Sequence, residues 1–241
     1  MDELAWLGAI RHGQSEGNVA TQRAEASGAE RVDLDLPDAE VPLTAIGREQ
    51  SAAIGRWLAA APAAERPDVV ISSPLKRAEQ TAAVAVAVAA SAGVALRLAV
   101  DERLRDRELG VLDRWTRRGV AEHLPDEADR RKRLGRFYYR PPGGESWADV
   151  ALRLRSALGD FRREYRDRRV LLVAHDVVLL LLRYLVEGLS LDQLMELAGT
   201  GLDNGCLTSW SRTDGRLRLV CHNEIGHLSS QGAPMTRQKE A

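Results

Sequence analysis

The stretch Leu7-Gly-Ala-Ile-Arg-His-Gly-Gln-Ser-Glu-Gly-Asn18 decides how the rest of the chain is interpreted. It begins as a short apolar run, typical of a buried strand, and then presents Arg11, His12 and Gly13 in succession. In open α/β sheets, ligands bind beyond the carboxyl ends of the strands. At such a position an arginine can hold an anion, and a histidine can be a base, a metal ligand or a nucleophile. The stretch alone is equally compatible with a strand that merely ends in a histidine.

Length and composition describe an ordinary globular protein. The 241 residues suffice for one large α/β domain or two small ones, and 44% are hydrophobic and 29% charged. The formal net charge is −1, so the chain as a whole does not bind polyanions and we expect no nucleic-acid partner. Any attraction for phosphate must therefore be local.

Cysteine content and the apolar segments indicate the compartment. Cys206 and Cys221 are far apart and form no paired motif, so neither a zinc site nor a disulfide framework is expected. The acidic N-terminus does not resemble a signal peptide. The most apolar stretch, residues 170–186, contains a histidine, an aspartate and an arginine, which argues against a membrane span. We expect a cytoplasmic protein without a membrane partner.

Apolar periodicity predicts strands that alternate with helices. Strands are expected at residues 4–10, 68–71, 94–100 and 169–174, and a final hairpin at residues 205–222. Helices are expected at residues 43–61, 73–93, 145–166, 177–187 and 190–198, with loop at residues 23–41. This alternation favours a three-layer α/β/α sandwich with a mostly parallel central sheet.

Domain boundaries follow from the same pattern. Residues 1–228 are expected to form one domain. Residues 101–144, which are densely charged and weakly periodic, are expected to form a helical and loop insertion over the active site. Residues 229–241 are polar and are expected to be a disordered tail.

Two of the expected strands end in histidine, at His12 and at His175. If the two strands are neighbours, these side chains meet over one crevice, with Arg11 beside them. Arg77 lies in the first turn of the helix after another strand and can point toward the same edge. Two arginines and two histidines would form a compact cationic pocket suited to a phosphoryl group.

No Walker motif and no acidic cluster with Mg²⁺ or Ca²⁺ spacing occurs in the sequence. We therefore expect a phosphate site without a metal or another cofactor, in which histidine is the natural nucleophile. The expected ligand is a small phosphorylated substrate.

Six blocks in order resemble the histidine phosphatase superfamily, the phosphoglycerate mutase-like family, between about residues 5 and 228. The blocks are Arg11-His12-Gly13 with Ser15 and Asn18, Pro42-Leu43-Thr44 with Gly47, Ser72 to Ala78 with Gln80-Thr81-Ala82, Leu104-Arg105-Asp106 with Gly110, Gly143 to Ser146, and Val173-Ala174-His175. One such tripeptide would be weak, but the ordered set is specific. The resemblance implies a phosphatase-type member with this family's fold.

The resemblance also implies a mechanism through a phosphohistidine. His12 would attack phosphorus with one ring nitrogen, while the other nitrogen donates to a backbone carbonyl that fixes the tautomer. Residues expected to bind the phosphoryl group or the rest of the substrate are Arg11, Gln14, Asn18, Arg77 and His175, of which Arg11, Arg77 and His175 also belong to the catalytic set.

A carboxylic acid would protonate the leaving oxygen and then activate water. The family usually has glutamate at the position of Asp106, which is our first candidate despite its shorter side chain. Asp176, directly after the second histidine, is the second candidate because one branch of the superfamily uses an aspartate there. Glu108 is the third.

Two rival functions stay open at this point. One is a cofactor-dependent phosphoglycerate mutase-type phosphotransferase, which would share the same pocket. The other is a catalytically silent phosphate-binding module, favoured only by the change from glutamate to Asp106. The oligomeric state is also open, with a dimer among the options. The natural substrate depends on residues 23–41 and 101–144, which show no readable pattern.

Overall fold

A computed structural model describes residues 3–238 and has a six-stranded central sheet. Its strands are β1 (Trp6–Arg11), β2 (Val69–Ser72), β3 (Arg97–Val100), β4 (Arg169–Ala174), β6 (Leu207–Thr213) and β7 (Arg216–Glu224). A second, two-stranded sheet pairs β5 (Leu202–Asp203) with β8 (Arg237–Gln238). The order in the large sheet is β3-β2-β4-β1-β6-β7. The pairs from β3 to β1 are parallel, and β6 is antiparallel to both of its neighbours.

Helices cover both faces of the large sheet. They are α1 (Glu16–Ser27), α2 (Ala45–Ala60), α3 (Lys76–Ser91), α4 (Arg117–His123), α5 (Pro125–Tyr138), α6 (Trp147–Glu164), α7 (Asp176–Glu187), α8 (Leu191–Thr200) and α9 (Gly226–Ser229). Short 3₁₀ turns lie at Asp38–Glu40, Ala63–Glu65, Glu102–Leu104 and Gly110–Leu112. None of the helices within residues 3–238 has both the length and the apolar character needed to cross a bilayer.

Alternation along the strands divides the core into two layers. In β1, Leu7 and Ala9 pack in the core shared with α6, α7 and α8. Trp6 and Ile10 pack in the core shared with α2 and α3. A sheet buried on both faces requires near-continuous apolar strands, which is the pattern of β1 and β4. The predicted three-layer sandwich with a mostly parallel sheet is confirmed.

Pairing of β1 with β4 sets the position of the site. The two strands are parallel, and Arg11 lies opposite Ala174. The chain therefore leaves both strands at the same edge, one residue before His12 and one residue before His175. The two strand-end histidines thus belong to neighbouring strands, which meets the condition for their side chains to lie over one crevice.

The loop after β1 is held tightly against the start of α2. A Cβ atom on Gly13 would lie 2.5 Å from the carbonyl oxygen of Gly47, and one on Gly47 would lie 2.1 Å from that of Gln14. Only glycine at both positions permits this approach. Thr44 caps α2 by accepting from the Gly47 N–H at 3.0 Å, as predicted.

Two helices differ from the sequence prediction. Helix α1 was not predicted, and because it extends to Ser27 the expected loop at residues 23–41 begins later. It starts with a capping box between Ser15 and Asn18, but only Ala24 on it is buried, so it lacks the apolar periodicity that reveals a helix. Helix α3 begins at Lys76 rather than at Ser73-Pro74. The predicted insertion contains α4 and α5 between loops.

The expectation of a disordered tail from Ser229 is wrong for residues 229–238. Strand β8 pairs with β5, Arg237 forms an ion pair with Asp203, and the Gln50 amide donates to the carbonyl of Pro234. These partners are distant in sequence, so local polarity gave no sign of them. Residues 239–241, also assigned to that tail, lie outside the described part of the chain.

Candidate active site

His12 lies at the inner end of a pocket of about 220 Å³ and is only 3% exposed. Its Nδ1 atom is 2.7 Å from the carbonyl oxygen of Gly13. Because a carbonyl can only accept, Nδ1 carries the proton and Nε2 keeps its lone pair. This is the tautomer that the family resemblance implies for a nucleophilic histidine.

His175 lies beside it, with the ring centroids 5.2 Å apart, and is fully buried at the start of α7. Its Nε2 atom is 2.8 Å from Ser73 Oγ, which also accepts from the Leu75 N–H at 3.3 Å. Its Nδ1 atom lies 3.4 Å from Asp106 Oδ2 and makes no hydrogen bond to a described residue. A serine hydroxyl that donates to Nε2 would leave Nδ1–H directed toward Asp106, and His175 itself is not among the residues that line the pocket.

Burial and the nearby arginines keep both histidines neutral. Desolvation lowers the pKa of His12 well below 6.5, and the charges of Arg77 and Arg11 and the neighbouring His175 act in the same direction. The pKa of His175 is lowered well below 6.5 in the same way, first by burial and then by Arg77, Arg11 and Arg153. A neutral imidazole is the form that can attack phosphorus.

Arg11, the last residue of β1, is 2% exposed. Its guanidinium donates to the carbonyl of Leu202 and lies 3.5 Å from Asp176 Oδ2. This carboxylate is in the first turn of α7 and accepts from the Val177 N–H at 2.8 Å. Arg11 therefore faces the pocket with a counter-charge beside it.

Arg77, in the first turn of α3, is 5% exposed and binds two carboxylates. Nη1 donates to the Asp38 carbonyl at 2.8 Å and to Asp38 Oδ1 at 3.0 Å. Nη2 donates to Asp38 Oδ2 and to Asp106 Oδ2, each at 3.1 Å. Burial alone would lower the pKa of this guanidinium, but Asp106 and Asp38 raise it above its ordinary value. The predicted cationic pocket thus contains its own anions.

The candidate acids lie in different places. Asp106 contacts both Arg77 and His175, and it lines the pocket together with His12. Asp176 also lines the pocket, on the Arg11 side. Glu108 is exposed and is not among the residues that line this pocket. Geometry therefore favours Asp106 and Asp176 over Glu108.

The segment that carries Asp106 is fixed from behind by α6. Arg153 donates to the carbonyl oxygens of Arg103 at 2.6 Å and Asp106 at 3.0 Å. Glu145 accepts from Arg153 at 3.0 Å, and its own N–H donates to the Glu108 carbonyl at 2.9 Å. The Gly143 to Ser146 block therefore positions the carboxylate segment rather than the phosphate.

The two amide side chains expected to bind substrate differ in position. Asn18 lines the pocket, with its Oδ1 accepting from the Ser15 N–H at 3.1 Å and from Asn204 Nδ2 at 3.0 Å. Gln14 is not among the lining residues, and its Oε1 accepts from Thr44 Oγ1 at 2.9 Å. Its contacts hold the loop after β1 against α2.

Sequence reasoning missed the residues that form the outer part of the pocket. These include Asp38, Asp113, Arg114 and Trp115. Asp38 belongs to the unassigned loop before α2, and the other three to the insertion. Arg114 has a φ of 63°, an uncommon conformation for a non-glycine residue. No periodicity marks these positions, because loop conformation alone brings them to the site.

Comparison with known proteins agrees with this geometry. The sequence model of the histidine phosphatase superfamily, branch 1, matches residues 7–225. The chain belongs to this superfamily. A glucosyl-3-phosphoglycerate phosphatase of Mycolicibacterium vanbaalenii is 32% identical over 222 residues, covering 87% of this chain and 84% of that protein. A probable phosphoglycerate mutase GpmB of Yersinia enterocolitica is 29% identical over 172 residues, covering 70% of this chain and 69% of that protein.

Solved structures of superfamily members share the fold. The mycobacterial glucosyl-3-phosphoglycerate phosphatase in complex with VO3 has a TM-score of 0.66 and 27% identity, covering 91% of this chain and 98% of that chain. YhfR of Bacillus stearothermophilus has a TM-score of 0.71 at 24% identity, covering 92% and 98%. Relatives therefore include both phosphatases and probable mutases, and the superfamily assignment supports phosphatase activity without fixing the substrate.

Proposed function

We propose that the chain is a metal-independent phosphomonoesterase that works through a phosphohistidine on His12. The observation that carries the proposal is the bond from His12 Nδ1–H to the Gly13 carbonyl, which leaves the Nε2 lone pair available in a pocket that also contains Arg11 and Arg77. The two guanidinium groups supply the positive charge that a transferring phosphoryl group requires, so the chemistry needs no metal ion.

The first step transfers the phosphoryl group to His12. Nε2 attacks phosphorus, the Nε2–P bond forms, and the bond from phosphorus to the ester oxygen breaks. Arg11, Arg77 and Nδ1–H of His175 stabilise the charge on the phosphoryl oxygens. The leaving alkoxide takes a proton from the carboxylic acid of Asp106 and departs as the alcohol.

The second step returns the enzyme to its starting state. Asp106, now a carboxylate, takes a proton from water as the water oxygen attacks phosphorus. The Nε2–P bond breaks, inorganic phosphate forms, and His12 regains its lone pair. Asp106 is preferred to Asp176 because it contacts both Arg77 and His175, whereas Asp176 lies beside Arg11 alone.

A mutase-type phosphotransferase is the second candidate, favoured by the relatives that are named probable phosphoglycerate mutases. Such an enzyme would return the phosphoryl group to a bound hydroxy acid and exclude water. The pocket has negatively charged side chains at its exposed end, which does not suit a second acidic group. We therefore place hydrolysis first.

The proposal is tested with an aryl phosphate, in the presence and absence of a chelator, for the wild type and His12→Ala. We expect hydrolysis by the wild type to resist the chelator and to be lost in the variant. Activity that survives His12→Ala would rule the mechanism out. Phosphoryl transfer to phosphoglycerate without release of phosphate would indicate the mutase. Phosphate binding without turnover would indicate a silent module.

A further inference from the structure

The pocket has an inner and an outer part. The inner part contains His12 and the two arginines described above. Leu34, Leu109 and Trp115 give the rest of the pocket apolar walls. The carboxylates of Asp38 and Asp113 line it too, and both side chains are more than half exposed, at 58% and 52%. A leaving group would therefore meet carbon surface and negative charge.

The charged side chains that line the pocket are three arginines and four aspartates. With His12 neutral and Asp106 protonated for the first step, the three arginines match three aspartate charges, and a bound phosphate dianion then gives the pocket an excess of negative charge. Asp176 pairs with Arg11, and Asp38 and Asp106 both pair with Arg77. Asp38 and Asp113 are the most exposed of the four lining aspartates and therefore lie at the solvent-exposed end.

Arg77 places Asp38 beside the position that a phosphate bound to this guanidinium would take. Its Nη1 and Nη2 atoms have four N–H groups in total, and three of these donate to Asp38 and one to Asp106. A phosphate oxygen that binds this end of Arg77 must replace one of these acceptors. The Asp38 segment, residues 35–40, is exposed throughout and can shift at little cost in buried contacts. Asp38 then lies beside the substrate as a carboxylate with fewer partners.

Arg114 is the lining cation nearest to this acidic end, but its charge is already compensated. Its Nη2 donates to the Leu36 carbonyl at 2.9 Å, and its Nε lies 3.7 Å from Asp113 Oδ2. Its single positive charge is shared with Asp113 and therefore cannot offset both Asp113 and Asp38.

We propose that the pocket selects phosphomonoesters of neutral or cationic alcohols, and that Asp38 and Asp113 exclude leaving groups that bear a second negative charge. This inference rests on the proposed function, because it assumes that the inner part binds the phosphoryl group. Like charges placed together oppose binding and give specificity against the wrong ligand. The inference separates this chain from relatives whose names refer to phosphoglycerate compounds.

Two ligands test the proposal because they differ at one group. Glycerol 3-phosphate ends in a hydroxymethyl group where 3-phosphoglycerate has a carboxylate. We expect calorimetry at low salt, on His12→Ala so that neither ligand is hydrolysed, to give a dissociation constant at least about tenfold smaller for glycerol 3-phosphate. Asp38→Asn and Asp113→Asn, each added to His12→Ala, should reduce this ratio of dissociation constants about threefold or more, and added salt should also reduce it.

Glu40→Gln is the matched control. Glu40 is an acidic residue in the same 3₁₀ turn as Asp38, but it pairs with Lys76 and does not line the pocket. The ratio of the two dissociation constants should not change with this substitution. Asp113→Asn leaves every contact of Arg77 intact, so it remains informative if Asp38→Asn displaces that arginine.

Three results would overturn the proposal: equal affinity of His12→Ala for the two ligands, a ratio of dissociation constants unchanged by both aspartate substitutions, or no measurable binding of either ligand. Because the readout is binding, a failure of the catalytic proposal is seen separately, as aryl phosphate hydrolysis that survives His12→Ala.

Discussion

Burial and one hydrogen bond set the protonation state of His12. The bond to the Gly13 carbonyl selects the tautomer, and burial with the charge of Arg77 lowers the ring's pKa well below 6.5. We expect His12 to stay neutral with its proton on Nδ1 when the pH falls from 7.5 to about 6. Long-range ¹H–¹⁵N spectra of the histidine rings measure both properties. A His12 ring that gains a proton near pH 6.5 would contradict this description.

Asp106 and Asp176 can be distinguished by leaving group. A poor, alkyl leaving group needs a proton, whereas nitrophenolate leaves without one. We expect Asp106→Asn to lower kcat/KM, which reports transfer to His12, by about 10²–10⁴-fold on alkyl phosphates and to have a much smaller effect on kcat/KM for nitrophenyl phosphate. Asp176→Asn should lower activity on both substrates to similar extents. Full activity of Asp106→Asn on alkyl phosphates would mean that Asp176, and not Asp106, protonates the leaving oxygen.

At the scale of single residues, the sequence predicted one part of the site and missed another. The sequence pattern was sufficient to group four residues, because strand ends and a first helical turn share one edge of the sheet. These are His12, His175, Arg11 and Arg77. Asp38 could not, because its contact with Arg77 depends on the path of an exposed loop. Because the loop path was not predictable, the sequence indicated a cationic pocket, whereas carboxylates balance the arginine charges there.

The loop after β1 and the start of α2 position these residues, because their backbones approach closely at Gly13 and at Gly47. At the start of α2, Gly47 lies so close to the loop after His12 that a Cβ atom would be 2.1 Å from the Gln14 carbonyl oxygen. We expect Gly47→Ala to lower the free energy of unfolding by about 2 kcal/mol or more and to reduce kcat, because the loop or the helix must move. Urea unfolding and steady-state kinetics measure the two effects.

Gly159→Ala is the matched control within α6. A Cβ atom there would meet nothing within 4 Å. This substitution should raise the free energy of unfolding by about 0.5–1 kcal/mol, because alanine favours a helix more than glycine does. Equal effects of the two substitutions would show that close approach at Gly47 is unimportant.

Elements with an apolar stripe were predictable, and those without one were not. Strands β1, β2 and β4 and helices α2, α6 and α7 bury apolar side chains. Helix α1 buries one alanine and depends on its capping box, so propensity alone had to reveal it. Strand β8 forms only by pairing with β5, a contact between distant segments.

The whole molecule should lose stability in acid because it buries neutral histidines. His12 and His175 have pKa values well below 6.5, and burial lowers the pKa of His222 to about 4. In the unfolded chain these rings take up protons as the pH falls below about 6.5, whereas in the folded protein they do not. The free energy of unfolding therefore falls with pH in this window, by about 1.4 kcal/mol per pH unit for each such histidine.

His222 offers a test away from the pocket. We expect the unfolding free energy, measured with urea at pH 6.5, 6.0, 5.5 and 5.0, to fall less steeply in His222→Asn than in the wild type. The difference in slope should approach about 1.4 kcal/mol per pH unit. Identical slopes would mean that His222 titrates alike in the folded and unfolded states.

At the scale of the molecule, strand–helix alternation predicted the sandwich, and a net charge of −1 implied that any attraction for phosphate must be local. What composition could not give was the distribution of charge inside the pocket, where aspartates from three separate segments meet the arginines. That distribution, rather than the fold, is where we expect this chain to differ from its relatives in substrate choice.

Phosphorylation of His12 is the central claim, and trapping the intermediate tests it most directly. The wild type is mixed with saturating nitrophenyl phosphate, quenched in alkali within milliseconds, where phosphohistidine survives, and digested for mass spectrometry. We predict one phosphoryl group on the peptide that contains His12, lost on acid treatment and absent from His12→Ala. A phosphoryl group on any other residue, or turnover without a phosphoenzyme, would contradict the account.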